Sequence, residues 1–247
     1  MKKTIQRVLA AVILFAMILS GGFSEVGKVH AEKQQGTTKR AIYVVFDNSG
    51  SMYGDGNKAW SQATYAMEVF AAMMNYESGD VMKVFPMHDI TTDGNTGSAT
   101  KSSMEIRGKD DIAQIHNMYT PKPGGTPYTQ VNNAAGELTK LLNAGSVDEG
   151  WLVVLTDGDF DNDIPASGLK ADLEGKAAAN ENLYVQYLAI GTDVKNIPEG
   201  NADKGLYAQK AGNTSEVVNE LAEISNRIFK RNEYAGYSSE DSGLEFD

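Results

Sequence analysis

Short, mostly hydrophobic runs alternate along the chain with longer amphipathic segments. Residues 41–46, 81–86, 150–155 and 183–190 are rich in β-branched and aromatic side chains, as strands buried on both faces are. Between these runs, apolar residues recur at helical spacing. Trp60, Ala63, Met67, Phe70, Ala71 and Met74 predict a helix that starts near Asn57 and is ended by Ser78-Gly79-Asp80. Ile112 and Ile115 predict a shorter helix over about 109–118. Tyr128, Val131, Ala135, Leu138 and Leu142 predict a third helix, and 166–180 a fourth. Val218, Leu221, Ile224 and Ile228 form the inward stripe of a last helix, with Ser215 as its cap. A Gly/Thr/Asn/Ser-rich loop covers 91–103, a short edge strand follows at 103–106, and 206–209 is a short final strand. Strands that alternate with helices predict an α/β fold: a doubly wound, mostly parallel sheet with helices on both faces and right-handed crossovers.

The ends of the chain fall outside that alternation. Lys2, Lys3 and Arg7 precede an apolar run, Val8 to Leu19, which Gly21-Gly22 breaks. Small residues Val29 and Ala31 stand at positions −3 and −1 of a cut after Ala31, so residues 1–31 read as a secretory signal of bacterial style. An uncleaved anchor helix is the alternative, but the run is short for a bilayer span. Residues 32–37 read as a flexible lead, 38–231 as the folded domain and 232–247 as an acidic tail or linker. On this reading the product is exported, secreted or held at the cell surface, with no transmembrane anchor after signal cleavage. The chain of 247 residues carries a net charge of −11, which argues against nucleic acid as a partner. Losing the signal removes four basic residues and one acid, leaving −14. With no cysteine, disulfides, thiolate metal sites and thiol catalysis are excluded.

Three loops carry candidate chemistry. The first hydrophobic run leads directly into Asp47-Asn48-Ser49-Gly50-Ser51, with Asp47, Ser49 and Ser51 at alternate positions. An acid and two hydroxyls where a strand ends suit a hard cation that takes oxygen ligands. A turn that merely caps the next helix would use the same residues. Thr126 lies in the second loop, Gly124-Gly125-Thr126-Pro127, where Thr as N-cap and Pro at the first helical position are the ordinary alternative. The third loop, Thr156-Asp157-Gly158, ends another buried run on an acid. Asp159, Asp161 and Asp163 follow it; they form either a second cation site or an acidic solvated loop. In a doubly wound sheet, loops at the carboxyl ends of strands converge on one edge.

Together Asp47-Asn48-Ser49-Gly50-Ser51, Gly125-Thr126-Pro127 and Thr156-Asp157-Gly158 resemble the von Willebrand factor type A domain family, which includes integrin inserted domains. The resemblance covers about residues 38–231 and implies the family's Rossmann-like fold. It also implies a metal-ion-dependent adhesion site with Asp47, Ser49, Ser51, Thr126 and Asp157 as ligands of Mg2+, or of Mn2+ or Ca2+. The expected partner is a protein that presents an Asp or Glu to the cation. The expected function is metal-dependent binding or adhesion, not catalysis. Two alternatives are a metal-assisted hydrolase and an assembly or chaperone component of a cell-envelope complex. Against the hydrolase, the chain has no HExxH, GxSxG or phosphate-loop motif. Its histidines, His30, His88 and His116, lie apart from the three loops, and Asp159 is the general base nearest to them in sequence.

Overall fold

The computed structural model describes residues 38–87, 90–91, 99–101, 103–108, 110–112, 115, 126–158, 160, 164–191 and 194–229. The signal 1–31, the lead 32–37 and the tail 232–247 lie outside the described residues, as do Gly124, Gly125, Asp159, Asp161, Asp163 and all three histidines.

Strand β1 (Arg40–Phe46) is the centre of a six-stranded sheet. It pairs in parallel with β2 (Val81–Pro86) on one side and with β6 (Glu149–Thr156) on the other. Beyond β6 lie β7 (Leu183–Ile190) and then β8 (Leu206–Ala211), also parallel. The edge strand β5 (Met104–Ile106) runs antiparallel to β2. The spatial order is thus β5-β2-β1-β6-β7-β8. The chain moves one way from β1 and the other way from β6, so the carboxyl ends of β1 and β6 flank the topological switch point. Strands β3 (Ile90–Thr91) and β4 (Ala99–Lys101) pair antiparallel as a separate two-stranded unit. This corrects the sequence reading of 91–103 as a loop: Thr91 and Ala99–Lys101 are strand, a pairing missed because the polar residues there carry no strand periodicity.

Side chains alternate across the sheet and build two cores. Ile42, Val44 and Phe46 join Trp151, Val153 and Leu155 under helices α1 (Gly54–Met73) and α4 (Thr214–Phe229). Ala41, Tyr43 and Val45 join Leu152, Val154 and Tyr187 under α2 (Thr129–Asn143) and α3 (Ala166–Ala177). Every residue of β6 is buried, which explains its uninterrupted hydrophobic run.

Helix boundaries depart from the sequence reading in instructive ways. Helix α1 begins at Gly54, directly after a 3-10 turn over Gly50–Tyr53 that Met52, wholly buried, pins to the core. Gly54 and Gly56 are poor helix formers, and they pushed the expected start downstream to Asn57. Helix α3 ends at Ala177, three residues earlier than expected. Residues 110–112 and 115 are helical, with Ile115 buried; the remainder of that expected helix lies outside the described residues. In α4 the cap is Asn213, not Ser215: its Oδ1 accepts the Glu216 N–H at 3.0 Å. Glu216 reaches back to accept from the Gly212 N–H and from Asn213 Nδ2, both at 2.6 Å. The buried stripe is correspondingly Val217, Leu221, Ile224 and Ile228, with Val218 only half-buried.

Candidate metal centre

Asp47 is the first residue beyond β1 and is wholly buried. Its N–H donates to the Leu155 carbonyl at 2.8 Å, extending the β1–β6 pairing by one step. Its Oδ1 accepts the Ser49 N–H at 2.9 Å, closing a local turn. Its Oδ2 accepts from the Thr156 hydroxyl at 2.8 Å, a bond from the end of the neighbouring strand. Thr156 Oγ1 in turn accepts the Gly158 N–H at 3.0 Å. Both carboxylate oxygens are thereby oriented, and each keeps acceptor capacity. The turn does cap locally, but it does not cap α1, whose N-cap is Tyr53 with no side-chain bond.

The hydroxyls of Ser49 and Ser51 lie 2.9 Å apart, Ser49 buried and Ser51 exposed. Behind them, Trp60 stacks on Tyr53 with centroids 4.8 Å apart and tilts against Phe46 at 5.5 Å. It therefore grips the residues on either side of the Asp47–Ser51 turn.

Asp157, half-buried, follows β6 across the switch point. Its carbonyl accepts the Lys195 N–H at 3.0 Å. Gly158 then takes φ +82°, and a Cβ there would stand 1.9 Å from the Lys195 carbonyl oxygen. Only glycine permits that approach, which fixes the turn that aims Asp157.

Thr126 is buried, and α2 starts at Thr129 with Tyr128 at the N-cap position and no side-chain capping bond from Tyr128. Tyr128 is held instead by tertiary contacts. Its ring meets Phe160 edge-on at 5.3 Å, and its hydroxyl donates to Asp172 Oδ2 at 2.7 Å. Those contacts tie the chain two residues after Thr126 to the chain three residues after Asp157. The structure thus joins Asp47, Ser49 and Ser51 by direct bonds, and brings the loop of Thr126 to the loop of Asp157.

Burial dominates the electrostatics of Asp47. Burial pushes the Asp47 carboxyl up to about 6; Ser49 and Thr156 hydrogen bonds oppose the rise, and the nearby charge of Asp157 adds to it. Tyr187, on β7, also faces the pair: burial raises its phenol far above the ordinary value, and Asp47 and Asp157 add to the rise. Neither Thr156 nor Tyr187 was singled out from sequence. Thr156 had a signal, its place in Thr156-Asp157-Gly158; Tyr187 had none.

The donor set suits a small hard cation. Octahedral Mg2+ at about 2.0–2.1 Å from each ligand places neighbouring oxygens about 2.9 Å apart, the separation of the two serine hydroxyls. Carboxylate and hydroxyl oxygens, without sulfur or imidazole, are the donors that select such ions. Among the described residues no group of three or more Asp, Glu, His or Cys gathers, so a cation here would rest on two acids and neutral hydroxyls. Nor is any described helix long and apolar enough to cross a membrane.

No protein-family model matches the chain, and no curated protein matches it. Solved structures do. The pilus adhesin SpaC from Lactobacillus rhamnosus GG, in its open conformation, is 16% identical, covers 80% of this chain and 31% of its own, and has a TM-score of 0.51. Proximal thread matrix protein 1 from the mussel byssus, with a zinc-occupied MIDAS motif, is 17% identical over 76% of this chain and 48% of its own, with a TM-score of 0.53. The chain spans less than half the length of these structures. At such identities the likeness shows the fold, the Rossmann-like fold of von Willebrand factor A domains, as the three loop motifs implied.

Proposed function

On this fold, we propose that the chain is an exported binding module that takes up a divalent cation at Asp47, Ser49, Ser51, Thr126 and Asp157. Through that cation it recognises an acidic side chain of a protein partner. The observation that carries the reading is the Ser49–Ser51 hydroxyl pair, hydrogen-bonded at 2.9 Å, a separation that adjacent ligands of one small cation also have, beside a wholly buried acid. Asp47 supplies charge from below, with both oxygens oriented by Ser49 and Thr156. Ser51 is exposed and Asp157 half-buried, so the site opens to solvent on the side a partner would approach. A bound cation supplies a Lewis-acidic position there for an oxygen from outside. Because Ser49, Ser51 and Thr126 donate no charge, that position favours an anionic oxygen despite the chain's net charge of −11. Long-range repulsion between acidic surfaces is screened, whereas a contact at the site is not. A pilus adhesin and a thread matrix protein with a zinc-occupied MIDAS motif among the similar folds support the binding class. The leader pattern of residues 1–31 supports export.

The test is calorimetry with Mg2+ and Mn2+, followed by capture from cell-surface material with and without EDTA. Asp47→Ala is expected to lose measurable metal binding while its far-UV circular dichroism stays unchanged. Unaltered metal affinity in Asp47→Ala, or capture that persists in EDTA, would overturn the reading.

A further inference from the structure

Tyr187 is a tyrosine where the sheet has use only for a hydrocarbon. It lies in the middle of β7, wholly buried, within the core that α2 and α3 cover. Its ring packs there as phenylalanine would. Its hydroxyl, however, is buried with no hydrogen-bond partner among the described residues. Buried polar groups are nearly always paired, and one left alone destabilises the fold. An orphan of this kind calls for a partner that protein atoms do not supply.

The surroundings say where that partner belongs. The phenol oxygen stands against the Asp157–Gly158 turn: a Cβ on Gly158 would lie 3.3 Å from it. Both Asp47 and Asp157 are near enough to act on the phenol electrostatically. Register explains the placement, since Tyr187 pairs with Val154 of β6, two residues before Thr156. The hydroxyl thus lies at the Asp157–Gly158 turn, at the carboxyl end of β6. A buried water takes two to four polar partners, and a phenol beside two carboxylates offers that number.

We propose that Tyr187 is a positioning residue of the cation site: its phenol donates, through one buried water, to the Asp47–Asp157 carboxylate pair and holds it in the arrangement that receives the cation. The inference rests on the metal-binding reading above. A donor behind a carboxylate favours its ionised, fixed form, and such supporting groups tune metal affinity although they never touch the ion.

The experiment uses Tyr187→Phe, which removes one oxygen and keeps the ring. Mg2+ affinity is measured by calorimetry, and melting is followed in EDTA and in sub-saturating Mg2+, beside wild type and Asp47→Ala. The expected result is a Mg2+ Kd weakened about tenfold, and a smaller rise in melting on adding the same sub-saturating Mg2+ than wild type shows. A role in packing alone would lower melting equally in both conditions and leave Kd unchanged; either outcome overturns the inference. If Asp47→Ala loses Mg2+ while Tyr187→Phe binds it as wild type does, only the role of Tyr187 fails. If wild type binds no Mg2+, the metal reading fails and takes this inference with it.

Discussion

Replacing Asp47 by Asn is expected to stabilise the metal-free protein. Asp47 ordinarily titrates at 3.8, and burial lifts it to about 6. Below pH 4 the side chain is protonated in the folded and the unfolded chain alike and contributes nothing. Between about pH 4 and 6 the unfolded chain releases the proton and the folded chain keeps it, so stability falls as pH rises. Above pH 6 the full penalty is in place, about 3 kcal/mol at 1.36 kcal/mol per pKa unit. Asn is neutral throughout. It can still accept the Ser49 N–H, and its amide can donate to Thr156 Oγ1 in place of the bond that Asp47 accepts. In EDTA, urea unfolding of Asp47→Asn should match wild type near pH 4 and exceed it by up to about 3 kcal/mol at pH 7.5. That corresponds to a melting temperature higher by about 6–12 °C for a domain of this size. Mg2+ should close the gap, because at a hundredfold excess over Kd it adds about 2.7 kcal/mol to wild type and nothing to the variant. An Asp47→Asn protein that is less stable than wild type in EDTA at pH 7.5, or a difference independent of pH, would refute the picture of an uncompensated buried carboxylate.

Other substitutions separate the parts of the structure. Gly158→Ala drives a methyl into the Lys195 carbonyl at positive φ; it should destabilise the fold by about 2–4 kcal/mol and weaken Mg2+ binding, both readable by thermal melting with and without the ion. Asn213→Ala removes the cap of α4 and should cost about 1 kcal/mol in urea unfolding while leaving metal affinity unaltered. Thr126→Ala, measured by calorimetry at saturating Mg2+ once a partner is captured, should weaken partner binding more than metal binding; the opposite order would place recognition elsewhere on the surface.

Elements specified by continuous local pattern were legible in the sequence. Residues 183–190 match β7 to the residue, because a run broken only by Gln186 is bounded by Asn182 and Gly191. Elements specified by distant contacts were not. Thr126-Pro127 has the form of a helix start, yet α2 begins at Thr129, and the side chain of Tyr128 is turned to Phe160 and Asp172. The site divides in the same way. Asp47, Ser49 and Ser51 show themselves by alternate spacing within one loop. Thr156 and Tyr187 acquire meaning only when β1, β6 and β7 lie side by side, which no window of sequence contains. Tyr187 in particular reads as one more aromatic in a strand until its hydroxyl is placed beside two acids.

The chain's two tryptophans turn its aromatic packing into a pair of optical probes. Trp60 lies on Phe46 and Tyr53, so any rearrangement of the Asp47–Ser51 turn changes the environment of its indole. Trp151 is buried near the opposite end of β6, stacked on Tyr184 at 4.7 Å and on Tyr207 at 6.0 Å. Its emission reports the integrity of the sheet and not events at the loop. With Trp151 replaced by Phe, a fluorescence titration would follow the cation loop alone; with Trp60 replaced, the same instrument would follow unfolding alone. Local binding and global stability can thus be read separately in one molecule, without attaching a dye.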